Sequence, residues 1–281
     1  MSTDAQKARE ALGARLRAAR KDAGFVSGRA FAAATGWQES KVSRIELGRQ
    51  LASDEDIRIW CAKTNTQDQA LDLIATVRNI DGLWLEWKRQ LGEGAEKRQG
   101  KALPLYERTK VFRIWHPTLV WGTLQTAEYA AETFRQVVEF YGIPDDAEEA
   151  TSKRLERQRF LTQGGRIFNV LLAEQALYSN FGGPEVMRGQ LDRLLAVMGL
   201  PGMSLGIIPR SARLAIWPGN SFSMFDDKVV LVETYSAELT VTQPREIVVY
   251  GKAFSTLKRS AVYGRSARGL ILQASHHFEQ K

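Results

Sequence analysis

Cysteine is almost missing from this 281-residue chain: Cys61 is the only one. No disulfide framework can form within the chain, and a lone thiol in an apolar stretch is expected to be buried and inert. Histidine is nearly as scarce, with His116, His276 and His277 as the full set. The adjacent pair lacks a third ligand and makes a weak metal site. No apolar run approaches the roughly twenty residues needed to span a bilayer. Residues Met1 to Glu10 are polar, without the apolar stretch of a secretory signal. A cytoplasmic location with no membrane partner is therefore expected. There is no His-Glu-x-x-His pair and no phosphate-cradling Gly-x-x-x-x-Gly-Lys loop. Glu174 and Glu233, at or near strand ends, are candidates for a carboxylate pair, against the commoner reading of hydrogen-bonded edge carboxylates. Trp115, Trp121 and Trp217 are weighed likewise, as a ligand pocket against plain aromatic core. No cofactor, no metal and no enzymatic activity are expected.

What the chain does have is charge placed unevenly. Its net charge is +7. Residues 1–50 hold ten Lys and Arg against five acids, which puts +5 of that total on the first fifty positions. A positive field concentrated at one end points to a polyanion partner for that end.

The spacing there is specific. Ala8 to Ala23 reads as a helix, with Leu12, Leu16 and Ala19 on one stripe and Gly24 as its stop. Ser27 is placed to cap a second helix running through Phe31 to Ala34. Thr35-Gly36-Trp37 makes a tight turn, and a third helix follows from about Gln38 to Leu47. Val42 and Ile45 share its buried side, and Gly48 ends it. Two short helices joined by a glycine turn, the second apolar inside and polar outside, make a helix-turn-helix, whose second helix fits the major groove of double-stranded DNA. Ser27, Arg29, Gln38, Glu39, Ser40, Lys41, Ser43, Arg44 and Arg49 are the expected DNA-binding residues. Among them Arg44 is suited to a bidentate grip on guanine and Gln38 to adenine. Arg29, Lys41 and Arg49 suit phosphates, which set position rather than sequence.

The run Ser40-Lys41-Val42-Ser43-Arg44-Ile45-Glu46-Leu47-Gly48-Arg49 resembles the recognition-helix signature of the Xre (lambda/Cro-type) repressors. That resemblance implies a five-helix domain, with further helices near Asp54–Thr64 and Gln67–Ile80. It also implies that Arg20 pairs with Glu46 as a structural contact. Gln38 stands where that family usually has a Ser, Thr or Asp cap.

Trp84 to Gly92 reads as a helical stretch. The polar, glycine-rich residues 92–101 read as a linker or a surface loop. Leu105 to Trp115 reads as helical up to His116-Pro117, and Thr126 to Tyr141 as an amphipathic helix. Pro144 is placed to open another, with Asp145, Asp146, Glu148 and Glu149 in its first turns. The basic run Lys153 to Arg159 is taken as a solvated helix face, with a nucleic-acid or partner contact as the alternative. Arg166 to Leu172 and Met203 to Ile208 read as strands, and Gly182-Gly183-Pro184 introduces a helix. Ser221 to Phe225 and Val229 to Tyr235 form a hairpin through Asp226-Asp227-Lys228. A final helix runs from Pro244 to about Ser260.

Leu124 to Ala130, Arg157 to Leu161, Gln190 to Leu194, Leu205 to Pro209 and Phe254 to Leu257 resemble the large C-terminal domain of actinobacterial Xre regulators of the WhiJ-like, antitoxin-like group. The resemblance implies a small partner protein that alters the hold on DNA.

The fold class expected is α+β overall: an all-α five-helix N-terminal domain over 1–80, a helical connector and linker over 81–101, and a mixed α+β regulatory domain over 102–281. The function expected is a DNA-binding transcriptional regulator, a homodimeric repressor whose C-terminal domain responds to a small partner protein or a small-molecule effector. Two alternatives stay open: an enzyme with a DNA-localising head, and an antitoxin-like interaction protein acting mainly by binding a small partner.

Overall fold

The computed structural model describes residues 3–79, 84–86, 95–235 and 237–280. The chain divides into two compact units: residues 1–84 with 240–246, and residues 85–239 with 247–281.

Among the described residues the first unit is five helices: α1 (Thr3–Asp22), α2 (Gly28–Thr35), α3 (Glu39–Glu46), α4 (Asp54–Thr64) and α5 (Ala70–Asn79). One 3-10 turn, Gln67–Gln69, leads into α5. Each helix contributes an apolar stripe to a shared core that includes Leu16, Phe31, Val42, Ile57, Trp60 and Ile74. Trp60 is buried and donates its indole N–H to the Leu16 carbonyl at 3.1 Å, so the largest side chain in this core leaves no unsatisfied donor. Cys61 is buried as expected, and burial pushes its thiol up. The start of α4 is fixed by a capping box: the Ser53 hydroxyl accepts from Asp56 N, and the Asp56 carboxylate accepts from Ser53 N. The segment 240–246 completes this unit, with Gln243 donating to the Thr76 hydroxyl at 3.0 Å and Arg245 3.4 Å from Asp72.

The second unit is built on a sheet with strand order β1-β7-β6-β5-β2-β3-β4. The strands are β1 (Trp84–Glu86), β2 (Val111–His116), β3 (Ile167–Ala173), β4 (Met203–Ile208), β5 (Phe222–Phe225), β6 (Val229–Glu233) and β7 (Ala237–Val241). β2, β3 and β4 run parallel, whereas β5 is antiparallel to both β2 and β6. Phe168, Val170, Leu171 and Leu172 of β3 are all buried, the pattern of a strand covered on both faces. Among the described residues the helices of this unit are α6 (Ala95–Lys101), α7 (Leu103–Arg108), α8 (Ala127–Tyr141), α9 (Ala147–Leu155), α10 (Gly183–Val197), α11 (Pro244–Lys258, from residue 247) and α12 (Gly264–Glu279). α10 and α12 pack on each other and bring Leu191, Leu194, Ile271 and Phe278 into the main core. The architecture is α+β, as the pattern of elements led one to expect.

Several local expectations change. The stretch from Trp84 begins as strand rather than helix, and the remainder to Gly92 lies outside the described residues apart from 84–86. Residues 92–94 of the expected linker also lie outside them, and residues 95–101 are the helix α6, with Ala95 and Gln99 buried. Leu105 to Trp115 is a short helix followed by the interior strand β2, because Phe112, Ile114 and Trp115 are drawn into the sheet. The helix expected at Pro144 starts at Ala147, behind Asp146. The last helix was not expected at all: α12 takes in His276 and His277 and buries Ala267, Ile271, Ala274 and Phe278 at helical spacing. Trp115 and Trp121 are buried core, whereas Trp217 is largely exposed, so the three do not line one pocket.

Candidate nucleic-acid interface

The turn between α2 and α3 is dictated locally. Ser27 has extended backbone and its hydroxyl accepts from Ala30 N at 3.1 Å, which starts α2. Gly36 closes it at φ +73°, a left-handed conformation that favours glycine. Trp37 then turns inward against Phe31 and Trp60, with ring centroids 6.4 and 6.0 Å away. Gln38 opens α3 without a side-chain cap bond, which leaves its amide uncommitted there.

α3 buries Val42, Ile45 and Glu46. Gln38, Glu39, Ser40, Ser43 and Arg44 are all exposed, with Ser40 and Arg44 on the side of the helix away from those residues and Gln38 and Glu39 at its start. Ser27 and Arg29 are exposed at the start of α2, and Arg49 is exposed just beyond α3. The Arg44 guanidinium makes a surface hydrogen bond to Gln50 at 2.9 Å, a contact that costs little to exchange for a base edge.

Lys41 is the member of the expected set whose charge is committed. Its ammonium lies 2.6 Å from the Asp56 carboxylate and 4.3 Å from the centroid of the Trp37 ring. Burial pushes the Asp56 carboxyl up, but the Lys41 bond and the Ser53 bonds outweigh it and hold the group below its ordinary value. Lys41 thus ties α3 to the start of α4.

The orientation of α3 against α1 rests on Glu46. Its carboxylate is buried and accepts from Arg20 at 2.6 and 3.1 Å, and from Arg17 at 3.0 Å. Arg20 also donates to the Phe25 carbonyl, so one buried guanidinium links α1, the loop before α2 and the end of α3. These two residues hold structural places, as the pairing of Arg20 with Glu46 implied. A hollow of about 410 Å³ is lined by Arg17, Arg20, Lys21, Val26, Gly28, Glu39, Ser43 and Glu46. It places Arg17 and Lys21 beside the exposed face of α3. Sequence reasoning left these two out of the site because they belong to a different helix. Their signal was four-residue spacing on the side of α1 away from Leu12 and Leu16.

The other chemical candidates separate. Glu174 is buried beside the Arg210 backbone, from which it accepts at 2.8 Å, whereas Glu233 is paired with Arg98 at 2.7 Å. Gly202-Met203-Ser204-Leu205-Gly206 has the Gly-x-Ser-x-Gly spacing of hydrolase nucleophiles, a match the sequence reading overlooked. Ser204 lies within β4, in register with Asn169 of β3, and not on the strand-to-helix turn that exposes such a nucleophile. Among the described residues no group of three or more His, Cys, Asp or Glu is placed to hold a metal ion. No helix of the described residues is long and apolar enough to cross a membrane.

Comparison with protein families finds matches to two stretches of the chain. A helix-turn-helix domain matches residues 11–74, which takes in all nine expected contact residues. A domain of unknown function, DUF5753, matches residues 102–273, more than half of the chain. No curated protein matches the chain. The helix-turn-helix domain gives the N-terminal part a DNA-binding character and suggests a regulator rather than an enzyme. The chain belongs to the family of proteins built on the domain of unknown function DUF5753, carried here behind an N-terminal helix-turn-helix domain.

Proposed function

We propose that this chain is a sequence-specific DNA-binding transcriptional regulator, an Xre-type repressor of the WhiJ-like, antitoxin-like group. Residues 1–80 read the operator, and residues 102–281 respond to a small partner protein or a small-molecule effector. The observation that carries the reading is the exposed polar face of α3, held against α1 by the buried Arg20–Glu46 pair. Arg44 and Gln38 contact base edges from that face, with Glu39, Ser40 and Ser43 beside them. Arg29 and Arg49 neutralise phosphates, joined by Arg17 and Lys21, while Ser27 fixes the start of α2 against the backbone. Lys41 contributes less than its position suggests, because Asp56 already balances its charge. The regulator acts as a homodimer, since one reading helix contacts few base pairs and two half-sites a turn apart multiply specificity.

Binding of the purified chain to a labelled fragment of its own promoter, at two salt concentrations, tests this. Arg44→Ala is expected to lose about 1–3 kcal/mol and to relax base preference at the contacted position. Weak binding that is alike in wild type and variant, on every sequence tried, would overturn the proposal.

A further inference from the structure

The run Lys153 to Arg159 is not the solvated helix face its composition suggests. Arg154 closes α9 and Arg157 lies in the 3-10 turn Glu156–Leu161 that follows. Arg157 is buried and only 8% exposed. Its guanidinium donates to the side chain and the backbone carbonyl of Gln99 on α6, both neutral acceptors. Arg154 donates to Gln125 Oε1 at 2.6 Å and to Thr133 Oγ1 at 3.3 Å, again neutral, and its guanidinium carbon lies 3.9 Å from the centroid of the Phe134 ring. The Nε atoms of both arginines are buried with no hydrogen-bond partner among the described residues. Neither arginine has a carboxylate within ion-pair distance among those residues.

The neighbouring acids are taken. Glu233 pairs with Arg98 at 2.7 Å, and Glu238 pairs with the same guanidinium. Among the described residues, three arginines therefore share one region with two carboxylates, and both of these pair with Arg98. Burial holds the Arg154 guanidinium down to about 9, and repulsion from Arg157 and Arg98 adds to this against the weaker pull of Glu233. Arginine stays charged in proteins, so the repulsion is carried by the fold. A buried charge left unpaired is costly, whereas the oxygens of one oxyanion can accept from two guanidinium groups at once.

We infer that Arg154 and Arg157 form a binding site for an oxyanion, the phosphate or carboxylate group of a small molecule, in the second unit of the chain. Arg154 keeps part of its surface in contact with solvent, which gives the anion its approach. The inference goes beyond the DNA-binding reading, and its readout uses no DNA.

Thermal unfolding of the full chain, titrated with inorganic phosphate and separately with citrate, tests it against sodium chloride at matched ionic strength. A saturable rise in Tm with phosphate, citrate or both, absent with chloride, is expected, since a ligand that binds only the folded state stabilises it by mass action. The anion that saturates at lower concentration identifies the source as phosphate or carboxylate. Arg154→Gln and Arg157→Gln should each weaken the apparent affinity about tenfold or more, the loss of a charge-assisted hydrogen bond. The double substitution Arg29→Ala/Arg44→Ala on the helix-turn-helix face should leave the shift intact. No saturable shift in the wild type overturns the inference, and so does a shift that survives both glutamine variants. A shift abolished by Arg29→Ala/Arg44→Ala also overturns it, since the anion then sits on the DNA-reading face. If either glutamine variant fails to fold, Arg154→Lys supplies the test, keeping the charge but losing the fork.

Discussion

At the scale of single residues, the candidate interface divides into side chains that are exposed and side chains that hold the frame. Arg29, Arg44 and Arg49 are exposed, whereas Arg20 is buried against Glu46 and Lys41 is tied to Asp56. Lys41→Met should therefore act mainly on folding, at a cost of about 1 kcal/mol in urea unfolding at neutral pH. The sign with pH follows from Asp56, whose folded carboxyl is held below its ordinary value of 3.8. The pair stabilises the fold fully above that value and loses the contribution as pH falls through the lower, folded one. The difference in stability between wild type and Lys41→Met should close over that acid range. A gap unchanged between pH 7 and the acid limit of folding would show that Asp56 is not the partner. Arg44 was legible from sequence because exposure on a short amphipathic helix follows from spacing. The neutralisation of Lys41 was not, since Asp56 lies fifteen positions away, on another helix.

At the scale of elements, α3 is placed by its contact with α1. Gly13 lies where the two helices meet: a Cβ there would come within 2.5 Å of the Glu46 carbonyl oxygen and 2.6 Å of that of Ile45. These are backbone atoms at the end of the reading helix, which yield only if the helix moves. Gly13→Ala is expected to destabilise the first unit by about 1–3 kcal/mol and to weaken DNA binding through displacement of α3. Circular dichroism with urea titration, beside the promoter-fragment assay, checks both effects. Wild-type stability together with wild-type binding would show that this approach has slack. Element boundaries were readable where a cap or a stop marks them, as at Gly24, Ser27 and Gly48. They were misread at Val111–His116, where a buried strand of the sheet has the same apolar content as a helix face.

At the scale of the whole molecule, the basic excess on the first fifty residues predicts binding that weakens steeply with salt. Each phosphate contact removed should lower the slope of log affinity against log salt by about 1, so Arg29→Ala and Arg49→Ala should each flatten it. Lys41→Met should leave it nearly unchanged. In the same preparation, sedimentation of the full chain should give a dimer at the concentrations where the promoter fragment is bound. A monomer at those concentrations, with half-site footprints, would remove the two-fold reading.

The sequence by itself determined the helix-turn-helix, the exposed polar positions of its second helix and the α+β character of the larger part. Each of these follows from local periodicity, capping and turn chemistry, which act over a few residues. Tertiary structure alone decided which charges are spent. Burial of Arg157 and partial burial of Arg154, the pairing of Glu233 and Glu238 with Arg98, and the pairing of Lys41 with Asp56 join residues from separate elements. The return of residues 240–246 to the first unit was likewise invisible in the linear pattern. The physical reason is the same throughout: the free energy of a charge depends on what surrounds it in space, and that is set only when distant segments pack.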